Sequence, residues 1–314
     1  MKEQQRKSLA IFLSFLGYAI FGFSFLFSKQ ALNIATPFVL LAVRFSVAFF
    51  LLNCLLLFRT CKLHLKGKKI GLLLLLGLIQ PVVYFICENY GVKLSATSFV
   101  GTILALIPIA SLVAARVFLK EKIRAFQAVC FLGSVGGVFL TTLQQSSGSF
   151  SWLGLILLLF AVCVGAMFNV LSRRISVQFS PFERTYVMFA VGSAVFTCIA
   201  LIQSAGNIRE MIFVPLGDAK FWVSIFYLAG LSSVGAFLML NYAVTHLDIA
   251  SASIFANITT VITILAGVLI LHESFGVYQI IGSVIIILAA YGVNAKRKGV
   301  VTSQEKLNDQ AVAD

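Results

Sequence analysis

Residues 89–127 read NYGVKLSATSFVGTILALIPIASLVAARVFLKEKIRAFQ, and residues 241–279 read NYAVTHLDIASASIFANITTVITILAGVLILHESFGVYQ. Laid over each other without a gap, the two stretches match at Asn89/Asn241, Tyr90/Tyr242, Val92/Val244, Ala114/Ala266, Leu119/Leu271, Glu121/Glu273 and Gln127/Gln279. An internal repeat of this kind in an apolar chain marks a membrane protein built from two related halves. In each copy a polar Asn-Tyr pair closes one apolar segment, small residues open the next, and a Glu after a leucine closes that one and begins a third. The unit is helix, loop, helix, loop, helix.

Composition sets the solvent. Of 314 residues, 60% are hydrophobic and 11% charged, and the mean hydropathy is +1.01, which excludes an ordinary soluble domain. Thirty phenylalanines are hard to bury in one aqueous core, whereas about 20 apolar residues in a row are what one hydrocarbon crossing needs. Ten apolar segments follow one another, at 9–28, 37–58, 69–88, 95–119, 125–143, 152–172, 182–203, 221–243, 249–271 and 276–295. Unbroken runs of this length satisfy their backbone groups as helices and lack the alternation of barrel strands. The first run follows Lys2, Arg6 and Lys7 like a secretory signal, but its length and Lys29 at its end make it a retained helix.

The repeat extends to the earlier helices, with Gly22 opposite Gly165 and Thr36-Pro37 opposite Ser180-Pro181. Five helices per half is an odd number, so the second half enters the membrane upside down relative to the first. The expected architecture is all-α and integral to the membrane: ten transmembrane helices as two inverted five-helix repeats, residues 1–146 and 147–296, then a polar tail at 297–314.

The net charge of +13 is distributed as a topology signal and not as a nucleic-acid face. Lys and Arg number three at the amino terminus, five at 59–69, three at 120–124, two at Arg173-Arg174 and four in the tail, all on one side. The other side has Lys29, Lys93, Arg209 and Lys220, so both termini are expected in the cytoplasm of a cell that carries the protein in its inner membrane. Trp152 and Trp222 open their helices as interface anchors.

The repeat unit resembles the second half of an EamA repeat, the building block of the drug/metabolite transporter superfamily. Pro108, the FLKEKI run at 118–123 and the ILHESF run at 270–275 carry the resemblance, and Thr260 departs from it by standing where the first copy has Pro108. The resemblance implies a carrier of small organic metabolites such as amino acids, working by alternating access, with export commoner than uptake.

No GxxxxGK[ST], GxGxxG or HExxH is present, so no motif supports an ATP-driven pump or a membrane metalloprotease. Six scattered cysteines without CxxC spacing read as packing thiols, and three separated histidines do not read as a metal cluster. No catalytic group, metal or cofactor is implied. The alternative class is an integral-membrane enzyme acting on lipid or a lipid-linked substrate, which needs a nucleophile, acid–base pair or metal near an interface. The expected partners are a small-molecule substrate and the bilayer, with no nucleic acid. Gly133 and Gly137 form a GxxxG that suits packing within the bundle or at a homodimer seam.

Arg44 is the full charge well inside an apolar span, about 10 Å along the helix from Pro37. Such a charge costs about 2.5–3.5 kcal/mol at the bilayer centre on insertion scales and faces a cavity, a partner or a substrate, or snorkels outward. Its counterpart in the Pro37/Pro181 register is Met188, so the charge is not duplicated. Gln80 beside Pro81, Tyr84, Asn169, Ser232, Ser233, Asn257 and Thr260 add hydrogen-bonding groups near mid-membrane, as interhelical glue singly or a cavity lining together. Pro81 and Pro108 mark helix breaks beside them. The acidic residues, Glu88, Glu183 and Glu273 among them, are expected in loops or at helix ends, which predicts weak dependence on a proton gradient. Glu121 and Glu273 read as carboxylates set against the positive end of a helix dipole.

Overall fold

The computed structural model describes residues 2–58, 63–65, 70–119, 125–143, 151–175, 178–240 and 249–295. Glu121, Cys61, Asn241, Tyr242, His246 and the tail lie outside the described residues. The elements are helical throughout the described residues: α1 (Lys2–Leu32), α2 (Pro37–Leu57), α3 (Gly71–Leu94), α4 (Thr97–Leu104), α5 (Ile107–Leu119), α6 (Ala125–Leu143), α7 (Trp152–Ile175), α8 (Pro181–Gln203), α9 (Ala219–Leu240), α10 (Ile249–Leu269) and α11 (Val277–Ala295). Six helical stretches, in α1, α2, α3, α7, α8 and α9, are long and apolar enough to cross a membrane, and shorter apolar helices lie in α4–α5, α6, α10 and α11.

Local chemistry sets the helix starts. The Thr36 hydroxyl accepts from Val39 N at 3.4 Å with Pro37 in the first turn. Ser180 and Glu183 make a reciprocal capping box, and Asp218 accepts from Lys220 N at 2.7 Å. Each satisfies amides that a helix start leaves unpaired.

Two positions of the anticipated segments change. The third helix does not stop at residue 88 but runs to Leu94, because Asn89 donates to Phe85 O at 3.0 Å and so finds its partner inside the helix. The fourth segment is broken in two: α4 ends at Leu104 and α5 begins at Ile107, with Pro108 in its first turn. Proline has no amide to donate and suits that first turn. α10, with Thr260 at the equivalent position, is continuous.

Further irregularities fall in register. α3 has a π-helical stretch at Leu78–Val83 in which Gln80 leaves helical geometry (φ −140°, ψ 117°), and Gln80–Pro81 is a cis peptide. α9 has one at Phe226–Ala236. Carried back from Asn89/Asn241, the repeat register sets Gln80 opposite Ser232 and Pro81 opposite Ser233. Both halves therefore loosen the helix at one equivalent level, where backbone groups are freed for other partners.

The packing repeats as well. α2 packs on α8, α4 on α10 and α6 on α11, each helix against its own counterpart; α1 packs on α9 and α7 on α3. Exchanging the halves returns the same pairs. Within each counterpart pair the numbers run oppositely. Ser46 meets Ser193 at 2.9 Å while Asn53 accepts from the Tyr186 hydroxyl at 3.0 Å. A Cβ on Gly101 would sit 2.8 Å from Thr263, while one on Gly267 would sit 2.9 Å from Ser98 N. On α6, Gly137 lies against Gly282, whose carbonyl would be 2.8 Å from an added Cβ, while Gly133 faces open space. Half of the GxxxG is thus spent inside the bundle. The aromatic centre is Phe45, with Phe85 at 5.1 Å, Phe189 at 5.5 Å and Phe196 at 5.6 Å between ring centroids. Such pairs contribute roughly 0.5–1.5 kcal/mol each beyond their buried area.

Candidate functional site

Arg44 lies seven residues into α2 and is 3% exposed, so it does not snorkel outward. Its Nε donates to the Ser233 hydroxyl of α9 at 3.2 Å. Its guanidinium carbon stands 4.7 Å from the ring centroid of Phe85 and 5.7 Å from that of Phe45. A guanidinium carries donors in its plane and stacks by its face. Here the aromatic rings take the face and Ser233 takes one edge, while the two terminal amino groups donate no hydrogen bond to the described residues. Arg44 thereby joins the two halves, and the loosened stretch of α9 positions its partner.

Glu88 corrects the expectation that the acidic residues lie in loops or at helix ends. It stands six residues before the end of α3, 3% exposed, and it and Arg44 act on each other electrostatically. No ion pair joins them directly: one carboxylate oxygen accepts from the amide of Asn89, and the other accepts no hydrogen bond from the described residues. The premise for weak dependence on a proton gradient is therefore gone. The sequence set Glu88 at a helix end, as a fallback candidate for a titratable carboxylate beside Glu183, because the polar run after it lowered the apolar signal. The available clue was spacing, since Tyr84, Phe85 and Glu88 share one face of a helix.

The remaining candidates divide. Tyr84 is buried on α3 within electrostatic reach of Arg44 and Glu88, with Gly165 of α7 beside it. Ser232 is wholly buried, and its hydroxyl has no partner among the described residues. Gln80 is half-buried at the irregular turn of α3. Asn169 sits elsewhere, exposed, donating to the Ser111 hydroxyl at 3.0 Å. Thr260 is buried on α10, where the Cβ of a residue at 101 would approach its carbonyl at 3.6 Å. The side chain of Asn257 lies outside the described residues. The structure thus gathers Arg44, Tyr84, Glu88 and Ser233, and leaves Asn169 as glue between α7 and α5. A separate apolar cleft of about 250 Å³ opens between α2 and α8, lined by Val39, Val43, Ser46, Thr197 and Ile212 among others. None of the eight candidates borders it.

Arg44 and Glu88 are thus buried charges of the first half, and Arg44 is bonded across to Ser233 of the second; among the described residues no group of His, Cys, Asp and Glu is placed to hold a metal ion. Residues 8–143 and again 152–295 match the EamA-like transporter family. The chain belongs to that family. As an EamA-like transporter it is a multi-pass membrane protein of two repeats. It is 35% identical over 300 residues to the uncharacterized transporter YcxC of Bacillus subtilis, covering 94% of this chain and 95% of that one. It is 25% identical over 290 residues to the uncharacterized transporter YyaM of the same organism, covering 90% and 92%. A protein of known crystal structure superposes with a TM-score of 0.63 at 16% identity, over 93% of this chain and 99% of that one, a likeness of fold alone.

Proposed function

We propose that this EamA-like transporter is a secondary carrier that exports a small organic metabolite, such as an amino acid, by alternating access. It does so through ten transmembrane helices arranged as two inverted five-helix repeats, residues 1–146 and 147–296. The observation that carries the reading is the antiparallel packing of counterpart helices around a buried Arg44. Two halves related in this way exchange conformations, so one central site faces each side in turn. Arg44 of the first half bonded to Ser233 of the second lies where such an exchange is felt. Export is the direction that the family resemblance implies, and the Lys/Arg distribution supports an inner-membrane protein with both termini and the 297–314 tail in the cytoplasm.

The test is flux. Purified protein in liposomes, offered radiolabelled amino acids and related metabolites, is expected to show saturable uptake above protein-free liposomes for a restricted set of solutes. No saturable flux of any solute, in either loading direction, would overturn the proposal.

A further inference from the structure

The end of the bundle where α1 stops and α11 starts is crossed by two sets of polar links. Lys29, in the last turn of α1, donates to the carbonyls of Val92 and Ser95 at 2.7 Å each and to that of Lys93 at 3.3 Å. Glu273, in the loop between α10 and α11, accepts from the amides of Thr97 and Ser98 and from the Ser98 hydroxyl. The two side chains also act on each other electrostatically. A cation thus closes the end of α3 and a carboxylate closes the start of α4, the charges that free carbonyls and free amides at helix ends favour.

The links join two different packing groups. α1 packs on α9 and α10 and is tied to both: the Tyr227 hydroxyl donates to Ile20 O at 2.9 Å, and the hydroxyls of Thr259 and Thr263 donate to Tyr18 O and Gly22 O at 2.9 and 3.0 Å. α7 packs on α3, α4 and α5, with Asn169 bonded to Ser111. The repeat exchanges these groups, α1 for α7, α9 for α3 and α10 for α4–α5. Lys29 and Glu273 extend from the first group, and every partner named above belongs to the second. Among the described residues the groups meet chiefly along α4 and the last stretch of α3, whereas α5, beyond the break, packs on α7 and α11.

The chemistry of the links suits release. Lys29 and Glu273 are half-buried, and the amides and carbonyls they hold are ones that water can serve when the helix ends part. Each such bond contributes about 0.5–1.5 kcal/mol net, more where a charge takes part. Beneath them Gly101 lies against Thr263 and Gly267 against Ser98 N, so α4 and α10 touch there through glycine and can separate without unlocking long side chains.

We propose that Lys29 and Glu273 form a latch that holds shut the mouth of the transporter opposite its termini, and that the structure is the state closed on that face. This rests on the alternating-access reading above and names the residues that govern one of its two faces. Opening draws the α1–α9–α10 group away from the α3–α4–α5–α7 group at that end. The Lys29 and Glu273 contacts break together, and water takes the helix ends they release.

The test places spin labels on either side of the links in full-length protein whose native cysteines are replaced. Lys93→Cys and Ser274→Cys are both exposed and flank the links. Their separation is read by double electron–electron resonance in liposomes. With both links intact, one short separation is expected to dominate. Lys29→Met with Glu273→Gln is expected to raise the ratio of long to short separations at least about tenfold, whereas Lys29→Arg, which keeps the cation, should preserve the short one. The single variants serve should the double variant fail to fold, as gel filtration reports. A role limited to capping helices would lower the melting temperature and leave the separations unchanged, and that result in folded variants would overturn the latch. Flux supplies the second arm: joining the two cysteines with a short, reducible cross-linker should block liposome flux, and reduction should restore it. Undiminished flux through fully cross-linked protein would also overturn the latch. Absence of saturable flux before cross-linking removes the transporter reading instead, and the spin-label separations then decide the latch by themselves.

Discussion

Glu273 and Ser98 are joined twice across the two halves of the chain: one carboxylate oxygen of Glu273 accepts from Ser98 N at 2.8 Å and from the Ser98 hydroxyl at 2.7 Å. The other oxygen accepts from Thr97 N at 2.6 Å. The loop before α11 thus caps the first turn of α4, where unpaired amides and the helix dipole both favour a negative charge. Glu273 does oppose a helix start as its position suggested, but the start belongs to α4 and not to the α11 that follows it. α11 is served instead by Gln279, whose side chain accepts from Gly276 N at 2.8 Å.

Glu273→Ala should lower the melting temperature of the purified protein, since hydrogen bonds to a charged group contribute about 1.5–3 kcal/mol. Gly267→Ala should act through the same contact, because its added methyl would collide with the Glu273 carboxylate. Melting curves of both variants check this, and wild-type stability in both would remove the cap.

A second expectation concerns the α6–α11 seam. A Cβ on Gly282 would fall 3.1 Å from Thr141 N and closer still to the carbonyl of Gly137, backbone atoms that cannot rotate away. Gly282→Leu must part the two helices, at a cost of about 1–3 kcal/mol for overpacking. Gly133→Leu faces open space and should cost far less. Thermal unfolding of the two variants side by side measures the difference.

Topology is open to labelling. From the Lys/Arg distribution, Cys61 is expected on the cytoplasmic side. In a variant keeping Cys61 as its single cysteine, a membrane-impermeant thiol reagent should react in inside-out vesicles and not in intact cells. The reverse pattern would turn the whole assignment over.

Energy coupling now turns on Glu88. Among the described residues the ionisable groups that act on it are Arg44 from α2 and Tyr84 from its own helix. If the buried Glu88 keeps one protonation state through each turnover, a protonophore should leave liposome flux of a solute without net charge unchanged. Collapse of that flux on adding the protonophore would show that transport is coupled to protons, and Glu88→Gln would then test whether Glu88 carries them.

How far the sequence reached can be followed residue by residue. The Asn89/Asn241 register exposed the repeat, because a gapless match of this length survives divergence, and Pro108 marked the α4–α5 break through its missing amide. Arg44 stood out because a charge in an apolar run is costly wherever it goes. Glu88 was placed at a helix end, since Asn89, Tyr90 and Lys93 depress the apolar signal after it; the helix continues because Asn89 finds Phe85 O inside it and because Lys29 of α1 donates to the carbonyls of Val92 and Ser95 at 2.7 Å each. Partners as distant as Ser98 and Glu273, or Arg44 and Ser233, have no local signature at all. They follow from which helices pack together.

The most direct measurement is the paired determination of substrate affinity and thermal stability for Arg44→Lys, using a solute that the wild-type protein carries in liposomes. Lysine keeps the charge but cannot make the two parallel hydrogen bonds of a guanidinium. A transporter that holds its substrate on Arg44 should remain folded, with near wild-type melting, while its apparent substrate constant rises about tenfold, equivalent to 1.4 kcal/mol. A folded Arg44→Lys protein with unchanged affinity would contradict the account.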